Sequence, residues 1–225
     1  MATGITKPVR QKNSIGYENT TLRQLANKIA QRQNLTLVGD IENIKIERIT
    51  QNQEHDLTFL KRIAEEYGYI FKIAENNLVF YKTEKLINAE AAHIIHKSDI
   101  SRYRLTEKTS QLYKAVTVSY KNPKTGKTIN ATAKNSNCIK GDTLKLNTRC
   151  ENKQQALIKA NAALKNGNHI IEGNIEMPGN PYLVAGLNVE LKDFGYFSGK
   201  YHITEVHHSI DRYSGYVTRL RIKSC

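Results

Sequence analysis

The amino-acid sequence predicts an α+β fold: a small two-helix α+β module followed by a mostly antiparallel β-barrel domain with one inserted helix. Three observations support this prediction. Apolar residues recur at helical spacing in two early segments, 21–34 and 56–67. Short extended segments separated by turns fill the end of the chain. One Ala-rich segment near residues 152–166 again has helical spacing.

Length and composition limit the possible classes of protein. With 225 residues, the chain can form one large domain or two small ones, each with its own core. A formal net charge of +13 favours nucleic acid, anionic lipid or an acidic protein surface as a partner. No apolar run approaches the roughly 20 residues that span a bilayer, and the start of the chain has no signal-peptide pattern. We therefore expect a soluble protein without a membrane partner.

The first predicted module covers residues 14–83 and follows a polar lead-in, residues 1–13. Its first helix starts at Thr21, because Thr21 and Gln24 match the T-x-x-Q capping box. The apolar face of that helix consists of Leu22, Leu25, Ala26, Ile29 and Ala30. Two extended segments are predicted next, at residues 35–38 and 44–49.

The stretch QNQEHDLTFLKRIAEEYG, residues 51–68, predicts the second helix with a polar entrance. Asp56 is expected to be its N-cap, because a carboxylate there accepts hydrogen bonds from free N–H groups of the first turn. The predicted buried face consists of Leu57, Leu60, Ile63, Ala64 and Tyr67. Strands at 71–74 and 78–81 follow, and Asn76-Asn77 is expected to supply the positive φ of a tight hairpin.

Residues 84–100 have little periodicity and are predicted to be a linker. Residues 115–120 and 128–133 alternate around a Pro- and Gly-containing turn, which predicts a hairpin with a basic tip. Another short extended segment is predicted at residues 143–147.

The second predicted domain covers residues 101–225 and contains a helix near residues 152–166. Asn152 is its expected N-cap, and its apolar stripe consists of Ala156, Leu157, Ala160, Ala163 and Leu164. Four strands separated by turns follow, at residues 170–176, 188–191, 202–207 and 215–222. Short strands at this spacing favour a small sandwich or barrel.

Histidines are the candidate metal ligands, and their spacing argues against that role. His93 and His96 would share a face on a helix, yet no acid or cysteine follows at ligand spacing. His207 and His208 are neighbours in a predicted strand and point to opposite faces. His202 and His207 also face apart in a regular strand, so these residues are interpreted as ordinary polar or core histidines.

Other candidate chemistry is equally weak. Glu65 and Glu66 are adjacent on a helix and point in different directions, so they make a poor acid/base pair. The sequence Gly126-Lys127-Thr128 lacks the earlier glycine of a P-loop, since residue 121 is Lys. The cysteines have no metal-site spacing, and a Cys138–Cys150 bridge stays open. The sequence therefore predicts no catalytic, cofactor-binding or metal-binding residues and no enzyme activity.

Five lysines on or beside the predicted hairpin could face a phosphate backbone: Lys114, Lys121, Lys124, Lys127 and Lys134. Only Tyr113 and Tyr120 are available there for base stacking, which argues against sequence-specific single-strand recognition. A nucleic-acid-binding module acting through its basic surface is the alternative interpretation of this chain. It predicts an affinity that falls steeply with salt concentration.

Two parts of the sequence resemble the phage late control gene D family, also called the tail protein D family. The first part comprises SIGYENTTLRQLANKIA and QNQEHDLTFLKRIAEEYGYIFKIAENNLVFYK. It contains the aromatic-x-Asn-x-Thr-Leu helix start and the Asp-Leu step into Phe-Leu-x-Arg-Ile-Ala. The second part is MPGNPYLVAGLNVELKDFGYFSGKYHITEVHHSIDRYSGYVTRLRI. It contains Pro-Gly-Asn-Pro, Gly-x-Tyr-x-Ile-x-x-Val-x-His and Gly-Tyr-x-Thr-x-Leu.

The resemblance covers residues 14 to about 223 and implies a structural, non-catalytic role in a phage or prophage tail. Members are similar to the hub of contractile-tail baseplates and to the hub part of type VI spike proteins. The resemblance implies a component that joins the tail tube to the spike and forms a homotrimer when full-length. Its implied partners are tail tube, tape-measure and spike proteins, with weak, non-specific contact with passing DNA. Its implied location is the virion, after assembly in the host bacterial cytoplasm.

One departure from the family pattern concerns the start of the chain. Full-length members are expected to have two small barrels, the earlier of which precedes the aromatic-x-Asn-x-Thr-Leu helix start. Here only a short lead-in precedes that start, so we expect the later part of a hub, without the usual N-terminal barrel. Acidic surfaces of partner proteins are the favoured targets of the positive charge, ahead of passing DNA.

Overall fold

A computed structural model describes residues 11–108, 112–123, 125–135, 141–167 and 171–225. The chain divides into two compact units. The first unit comprises Met1–Thr83, Ala115–Lys134 and Thr143–Leu164, and the second comprises Glu84–Lys114, Asn135–Asp142 and Lys165–Cys225. Helices and strands occur in both units, so the predicted α+β class is confirmed.

The first part of the chain contains β1 (Lys12–Thr21), α1 (Leu22–Arg32), β2 (Thr36–Val38), β3 (Lys45–His55), α2 (Asp56–Glu66), β4 (Tyr69–Ala74) and β5 (Asn77–Lys82). The middle part contains α3 (Thr83–Asn88), β6 (His93–His96), β7 (Arg102–Glu107), β8 (Tyr113–Lys121), β9 (Thr128–Lys134), β10 (Asp142–Asn147) and α4 (Lys153–Gly167). The last part contains β11 (Ile171–Pro178), β12 (Asn188–Lys192), β13 (Gly199–Asp211) and β14 (Gly215–Ser224). Among the described residues, no helix is both long and apolar enough to cross a membrane.

Local signals determine the start and the buried face of α1. The Thr21 hydroxyl accepts a hydrogen bond from Gln24 N at 3.2 Å, and the Gln24 side chain accepts one from Thr21 N at 3.0 Å. This reciprocal pair is the predicted capping box, and it satisfies two N–H groups at the helix start. The buried residues of α1 are the five predicted ones: Leu22, Leu25, Ala26, Ile29 and Ala30. They pack into the core of the first unit.

Strand β1 begins at Lys12, within the last two residues of the predicted lead-in, residues 1–13, which remains a prediction. This strand pairs in antiparallel register with β3, so that Tyr17 lies opposite Ile49. Ile15 and Tyr17 alternate with polar residues and are the local signal of this strand. The pairing partner lies about 30 residues away, so the strand depends on a contact that a local pattern does not contain. Residues 1–10 lie outside the described residues.

The entrance of α2 differs from its prediction. Residues 51–55 belong to strand β3, and His55 occupies the N-cap position without a side-chain hydrogen bond. Asp56 is the first helical residue and is buried, with only 1% of its surface exposed. Its carboxylate binds side chains from other elements, so the predicted N-cap role is wrong.

The buried face of α2 and the next turn also differ in detail. Phe59 is fully buried, whereas the predicted Leu57 is half-buried, because α2 contributes Asp56, Phe59, Leu60, Ile63 and Ala64 to the interior. Strands β4 and β5 form the predicted hairpin. The positive φ in its turn belongs to Glu75 and not to Asn76-Asn77.

The second unit contains a six-stranded sheet with the order β6-β12-β13-β14-β11-β7. A closed barrel requires the two edge strands to pair; within the described residues β6 and β7 do not, so the predicted barrel is wrong. Loop residues cover the apolar face instead: Leu183 is fully buried there, and Phe194 is 9% exposed. The sheet therefore buries one face without closing on itself.

The segment predicted to be a linker, residues 84–100, contains most of α3 and all of β6, and its role as a linker remains a prediction. β6 runs parallel to β12, with Ile95 opposite Leu191. The Asn188 side-chain amide donates to the carbonyl oxygens of Leu86 and Ala89, both at 2.7 Å. These partners lie about 100 residues away in the sequence. The local pattern of residues 84–100 therefore does not predict the helix and the strand that form there.

The hairpin β8–β9, strand β10 and helix α4 follow their predictions, with β8 between β10 and β9. Asn152 caps α4, since its side-chain oxygen accepts a hydrogen bond from Gln155 N at 2.8 Å. The predicted stripe is only partly correct, because Leu157 is exposed, Ala163 is half-buried and Ala162 is buried.

The two units divide the chain differently from the predicted domains. Residues 115–134 and 143–164 were predicted in the second domain, yet they cluster with the first unit. Lys159 explains part of this grouping, since its Nζ lies 2.7 Å from a carboxylate oxygen of Glu66 on α2. The boundaries 14–83, 84–100 and 101–225 remain a prediction about folding domains.

Candidate functional site

Motifs that are separate in the sequence meet at one end of the six-stranded sheet. The His208 Nδ1 atom lies 3.1 Å from both the Thr218 hydroxyl oxygen and the Tyr216 hydroxyl oxygen. Its Nε2 lies 3.2 Å from the carbonyl oxygen of Leu183. His208 thus ties the strand pair β13–β14 to the loop after β11. Its neighbours make it a positioning residue for that loop.

Gly179 completes the same cluster by its lack of a side chain. A Cβ atom at this position would lie 2.0 Å from atoms of the Tyr216 ring, so only glycine fits without movement. The next residue, Asn180, donates its backbone N–H to the Thr218 hydroxyl at 2.9 Å. The Pro-Gly-Asn-Pro and Gly-Tyr-x-Thr motifs are therefore two halves of one packing arrangement.

Two of the remaining histidines, His96 and His202, have ordinary structural partners. His93 and His96 lie on strand β6 at an odd spacing, so they face opposite sides of the sheet. His96 Nδ1 lies 2.7 Å from a carboxylate oxygen of Asp193, and the buried His202 has its Nδ1 2.8 Å from the Asn188 side-chain oxygen. Within the described ranges, no group of three or more His, Cys, Asp and Glu could hold a metal ion.

One buried lysine is a candidate for covalent chemistry, and its contacts argue against that role. Lys159 is 5% exposed, and its Nζ donates to Glu66 at 2.7 Å and to the Arg149 carbonyl oxygen at 2.9 Å. The same ammonium lies 4.8 Å from the centre of the Tyr67 ring, in cation–π range. With these partners, Lys159 stabilises the contact between α4 and α2, and its ammonium group is already held by hydrogen bonds.

Cysteines add no reactive site in the described part of the chain. Cys150 is buried, and burial raises the pKa of its thiol, which keeps it in the less reactive protonated form. Cys225 is exposed and free. Cys138 lies outside the described residues, so the Cys138–Cys150 bridge remains a prediction.

The lysines of the β8–β9 hairpin do not form one continuous surface. Lys114 and Lys121 lie on the same strand at an odd spacing and therefore point to opposite faces. Asn122 N donates to the Lys127 carbonyl oxygen at 2.9 Å, and Gly126 has a φ of +68°, which identifies the segment as a hairpin turn. Lys124 lies outside the described residues.

A basic surface that the sequence analysis missed lies on the polar face of the six-stranded sheet. Two rows of side chains cross four strands there in register. The first row is Arg102, Glu176, Arg219 and His207, and the second is Arg104, Asn174, Arg221 and Glu205. These eight residues line a groove of about 830 Å³, which we call the arginine groove. The two rows contain four arginines and two glutamates, so the groove is positive overall.

Two of these arginines have charged partners, and two have none among the residues that the structure describes. Arg219 Nε donates to Glu176 at 2.7 Å, and Arg221 Nη1 donates to Glu205 at 3.4 Å. Arg102 and Arg104 are exposed on β7 and form no ion pair with any described residue. Two exposed, unpaired guanidinium groups can bind carboxylates or phosphates without first breaking an internal bond.

The sequence did contain a signal for the arginine groove. Arg102-Tyr-Arg104 and Arg219-Leu-Arg221 are both Arg-x-Arg patterns within strands, which place both arginines on one face. Only the sheet order shows that these two strands face the same groove, with β11 between them.

Comparison with known protein families identifies the family of this chain. A family model described as YQBQ-like matches residues 9–220. The chain belongs to the YQBQ-like family. The match covers almost the whole chain and includes the first stretch that carries the resemblance to phage tail proteins and all but the last two residues of the second.

Two curated relatives of this YQBQ-like chain are each described as "Probable baseplate hub protein". The protein of Escherichia phage P2 is 31% identical over 117 residues, and that of Escherichia phage 186 is 27% identical over 117 residues. Each alignment covers 48% of this chain and only 30% of the relative. These relatives confirm the resemblance to the phage tail hub family.

Solved structures show that the fold is that of tail proteins. The tail protein from Neisseria meningitidis MC58 has a TM-score of 0.73 at 15% identity, covering 95% of this chain and 70% of that chain. The 43 kDa tail protein of prophage MuSo2 from Shewanella oneidensis has a TM-score of 0.73 at 16% identity, covering 96% and 70%. An E. coli component of the type VI secretion system has a TM-score of 0.56 at 15% identity, covering 97% and 52%.

Proposed function

We propose that this YQBQ-like chain is a structural component of a phage or prophage tail, in the baseplate hub that joins the tail tube to the spike. The observation that supports this proposal best is the family match over residues 9–220, together with two relatives described as probable baseplate hub proteins. Since the alignments cover only 30% of those relatives, the role of the whole hub is part of the proposal.

The proposed assembly is a homotrimer that contacts tail tube, tape-measure and spike proteins in the virion. Assembly would take place in the host bacterial cytoplasm. Exposed aromatic residues near the motif cluster favour protein partners: Tyr182 is 74% exposed and Tyr213 is 96% exposed. Both residues lie in turns, and large aromatic side chains are enriched at protein interfaces.

We propose no catalytic role for this chain, and only weak contact with passing DNA. The histidines and the buried lysine discussed above serve packing and positioning. In the arginine groove, Glu176 and Glu205 lie between or beside the arginines and would repel a phosphate backbone. Glu176 and Glu205 interrupt the positive track that a continuous phosphate backbone would follow, whereas single acidic side chains can reach Arg102 and Arg104, so we favour an acidic protein partner over nucleic acid.

The experiment that tests the proposal combines assembly with mass measurement. The chain is purified alone and together with the tube and spike proteins of the same tail, and each sample is analysed by size-exclusion chromatography with light scattering. A stable complex with the tube and spike proteins, containing three copies of this chain, is the expected result. Absence of association with both proteins, in a folded sample, would contradict the hub role.

A further inference from the structure

Strand β7 is an exposed edge of the six-stranded sheet. It pairs with β11 on one side, and no described residue pairs with it on the other. Five of its six residues are exposed, although Tyr103 contacts Phe194 and Glu107 accepts a hydrogen bond from the Tyr196 hydroxyl. Such an edge presents free backbone N–H and C=O groups that can pair with another chain.

Along β7, basic side chains on one face of the sheet alternate with apolar or aromatic side chains on the other. Arg102 and Arg104 face the arginine groove, whereas Tyr103 and Leu105 face the apolar side of the sheet. Tyr103 packs edge-on against Phe194, with ring centres 5.2 Å apart, yet remains 43% exposed. Residues two apart on a strand lie about 6.6 Å from each other, so the two guanidinium groups repeat at the spacing of alternate residues on a neighbouring strand.

We propose that the free edge of β7 binds an extended segment of a partner protein in which acidic residues alternate with apolar residues. The segment would add a seventh strand to the sheet by backbone hydrogen bonds. Its acidic residues would lie opposite Arg102 and Arg104 as cross-strand pairs of opposite charge. Its apolar residues would lie on the other face and cover the exposed part of Tyr103. This inference deepens the proposed hub function, on which it rests, by naming the chemistry of one partner segment.

Charge complementarity distinguishes this partner from a second copy of the chain. If two copies paired through β7, Arg102 and Arg104 of one copy would face arginines of the other. Like charges directly opposite each other on neighbouring strands are destabilising. The edge therefore favours a partner that brings carboxylates.

The arrangement of charges also favours a polypeptide over nucleic acid. On the groove side of β7, each arginine has a residue of β11 directly beside it: Glu176 beside Arg102 and Asn174 beside Arg104. A phosphate backbone laid along the groove would pass the carboxylates of Glu176 and Glu205. A strand at the outer edge of β7 reaches both arginines from the side away from these glutamates.

The test is peptide binding to the whole chain, measured by fluorescence anisotropy. The probe is a labelled octapeptide of alternating Glu and Val. Its controls are a block peptide of the same composition with four Glu followed by four Val, and the alternating peptide N-methylated along its backbone. We expect about tenfold weaker binding for each control, because the block peptide loses the cross-strand pairs and the methylated peptide loses the backbone hydrogen bonds.

Variants of the chain locate the binding site. The double variant Arg102→Glu/Arg104→Glu is expected to weaken binding of the alternating peptide at least about tenfold, since two attractions become two repulsions. Arg48→Glu is the control outside the groove, since Arg48 is exposed on β3 with its Nε 3.6 Å from a carboxylate oxygen of Glu18, and this variant should bind the peptide as the unchanged chain does. Amide hydrogen exchange should slow at residues 102–107 when the peptide is bound. Circular dichroism spectra establish that both variants are folded.

Several results would overturn the inference. Equal binding of the block or methylated peptide would show attraction by charge without strand addition. Tighter binding of a thymidine octanucleotide, weakened by Arg102→Glu/Arg104→Glu, would identify nucleic acid as the occupant. Self-association that the same variant abolishes would identify a second copy of the chain.

The outcome is separable from that of the hub proposal. A chain that assembles with tube and spike proteins but binds none of these peptides leaves the hub role intact and removes this inference. A chain that binds the alternating peptide but fails to associate with tube and spike proteins contradicts the hub role and leaves the chemistry of the edge intact.

Discussion

Two sets of charged residues, one in each unit, differ in whether other residues of the chain bind them. Asp56, in the first unit, is 1% exposed and surrounded by donors. Arg102 and Arg104, in the second unit, are exposed and form no ion pair within the described residues. The first arrangement stabilises the fold, and the second leaves binding capacity for another molecule. The stabilising role and the binding role cannot be told apart from the position or charge of a residue. They are told apart by whether its side chain is buried and which residues contact it.

The partners of Asp56 come from three different elements. Its carboxylate accepts hydrogen bonds from the side-chain amides of Asn13, Gln33 and Gln51, at 2.8, 2.9 and 2.9 Å. A guanidinium nitrogen of Arg32 lies 3.2 Å away. The carboxylate thus links β1, α1 and β3 to the start of α2, and its removal would leave several buried donors without an acceptor.

The largest expected effect is that of removing this carboxylate. We expect Asp56→Ala to destabilise the chain by about 3–5 kcal/mol, because breaking a buried charge pair leaves an uncompensated partner. Urea denaturation with the linear extrapolation method measures this loss. Glu65→Ala on the exposed side of the same helix is the matched control and should change stability by less than about 0.5 kcal/mol. A loss no larger than that of the control would contradict the stabilising role of the network.

A second prediction concerns stability within the unit that carries the arginine groove. Gly179→Ala is expected to cost about 1–3 kcal/mol, because the new methyl group overpacks against the Tyr216 ring. Gly16→Ala is the control, since a Cβ there meets no atom within 4 Å. Thermal unfolding of the two variants compares them directly. Equal melting temperatures would show that the motif cluster rearranges without cost.

A third prediction uses the pH dependence of the Asp56 network. Burial alone would raise the pKa of Asp56, but the hydrogen bonds from Gln51, Asn13 and Gln33 and the charge of Arg32 outweigh burial and lower it. The group therefore contributes stability above its unfolded-state pKa, about 3.9, and this contribution is lost as pH falls through the lower folded-state pKa.

The matched measurement compares the unchanged chain with Asp56→Asn. Their difference in free energy of unfolding should be largest near pH 6 and should shrink as pH falls below about 3.9. A difference that stays constant over this range would show that the ionised form of Asp56 is not the stabilising one.

The smallest expected effect on stability is that of the exposed arginines. Arg102→Glu/Arg104→Glu should change the free energy of unfolding by no more than about 0.5 kcal/mol, because exposed substitutions away from packed features are nearly neutral. Urea denaturation of the double variant and of the unchanged chain tests this. A loss as large as that of Asp56→Ala would show that these arginines serve the fold, and the contrast between the two units would disappear.

Elements with local signals were predicted well. The capping box of Thr21 and Gln24, the hairpins and the cap at Asn152 depend on residues within a few positions of each other. The helical spacing of the buried faces was predicted correctly, but some of their residues were not. Leu57 was predicted to be buried and is half-buried, whereas Phe59 is buried and was not predicted. The width of the buried face depends on what packs against the helix.

The candidate surface was less accessible to sequence reasoning. Each Arg-x-Arg pattern is visible, but strands β7 and β14 are about 110 residues apart and share a groove only through β11. Sequence also gave Asp56 a plausible local role as an N-cap, because capping requires only neighbouring atoms. Its actual donors are residues such as Asn13, which lies 43 positions away.

By itself, the sequence determined the α+β class, the capped starts of α1 and α4 and the membership of a family of tail proteins, because periodicity, capping and ordered motifs are properties of nearby residues. Only the tertiary structure decided that the sheet is open and that residues 84–100 contain a helix and a strand. It also decided that the Asp56 carboxylate binds buried side chains from other elements. It also decided which arginines lie beside a free strand edge. These features depend on pairing between distant residues, and the free energy of such contacts becomes available only when the chain has folded.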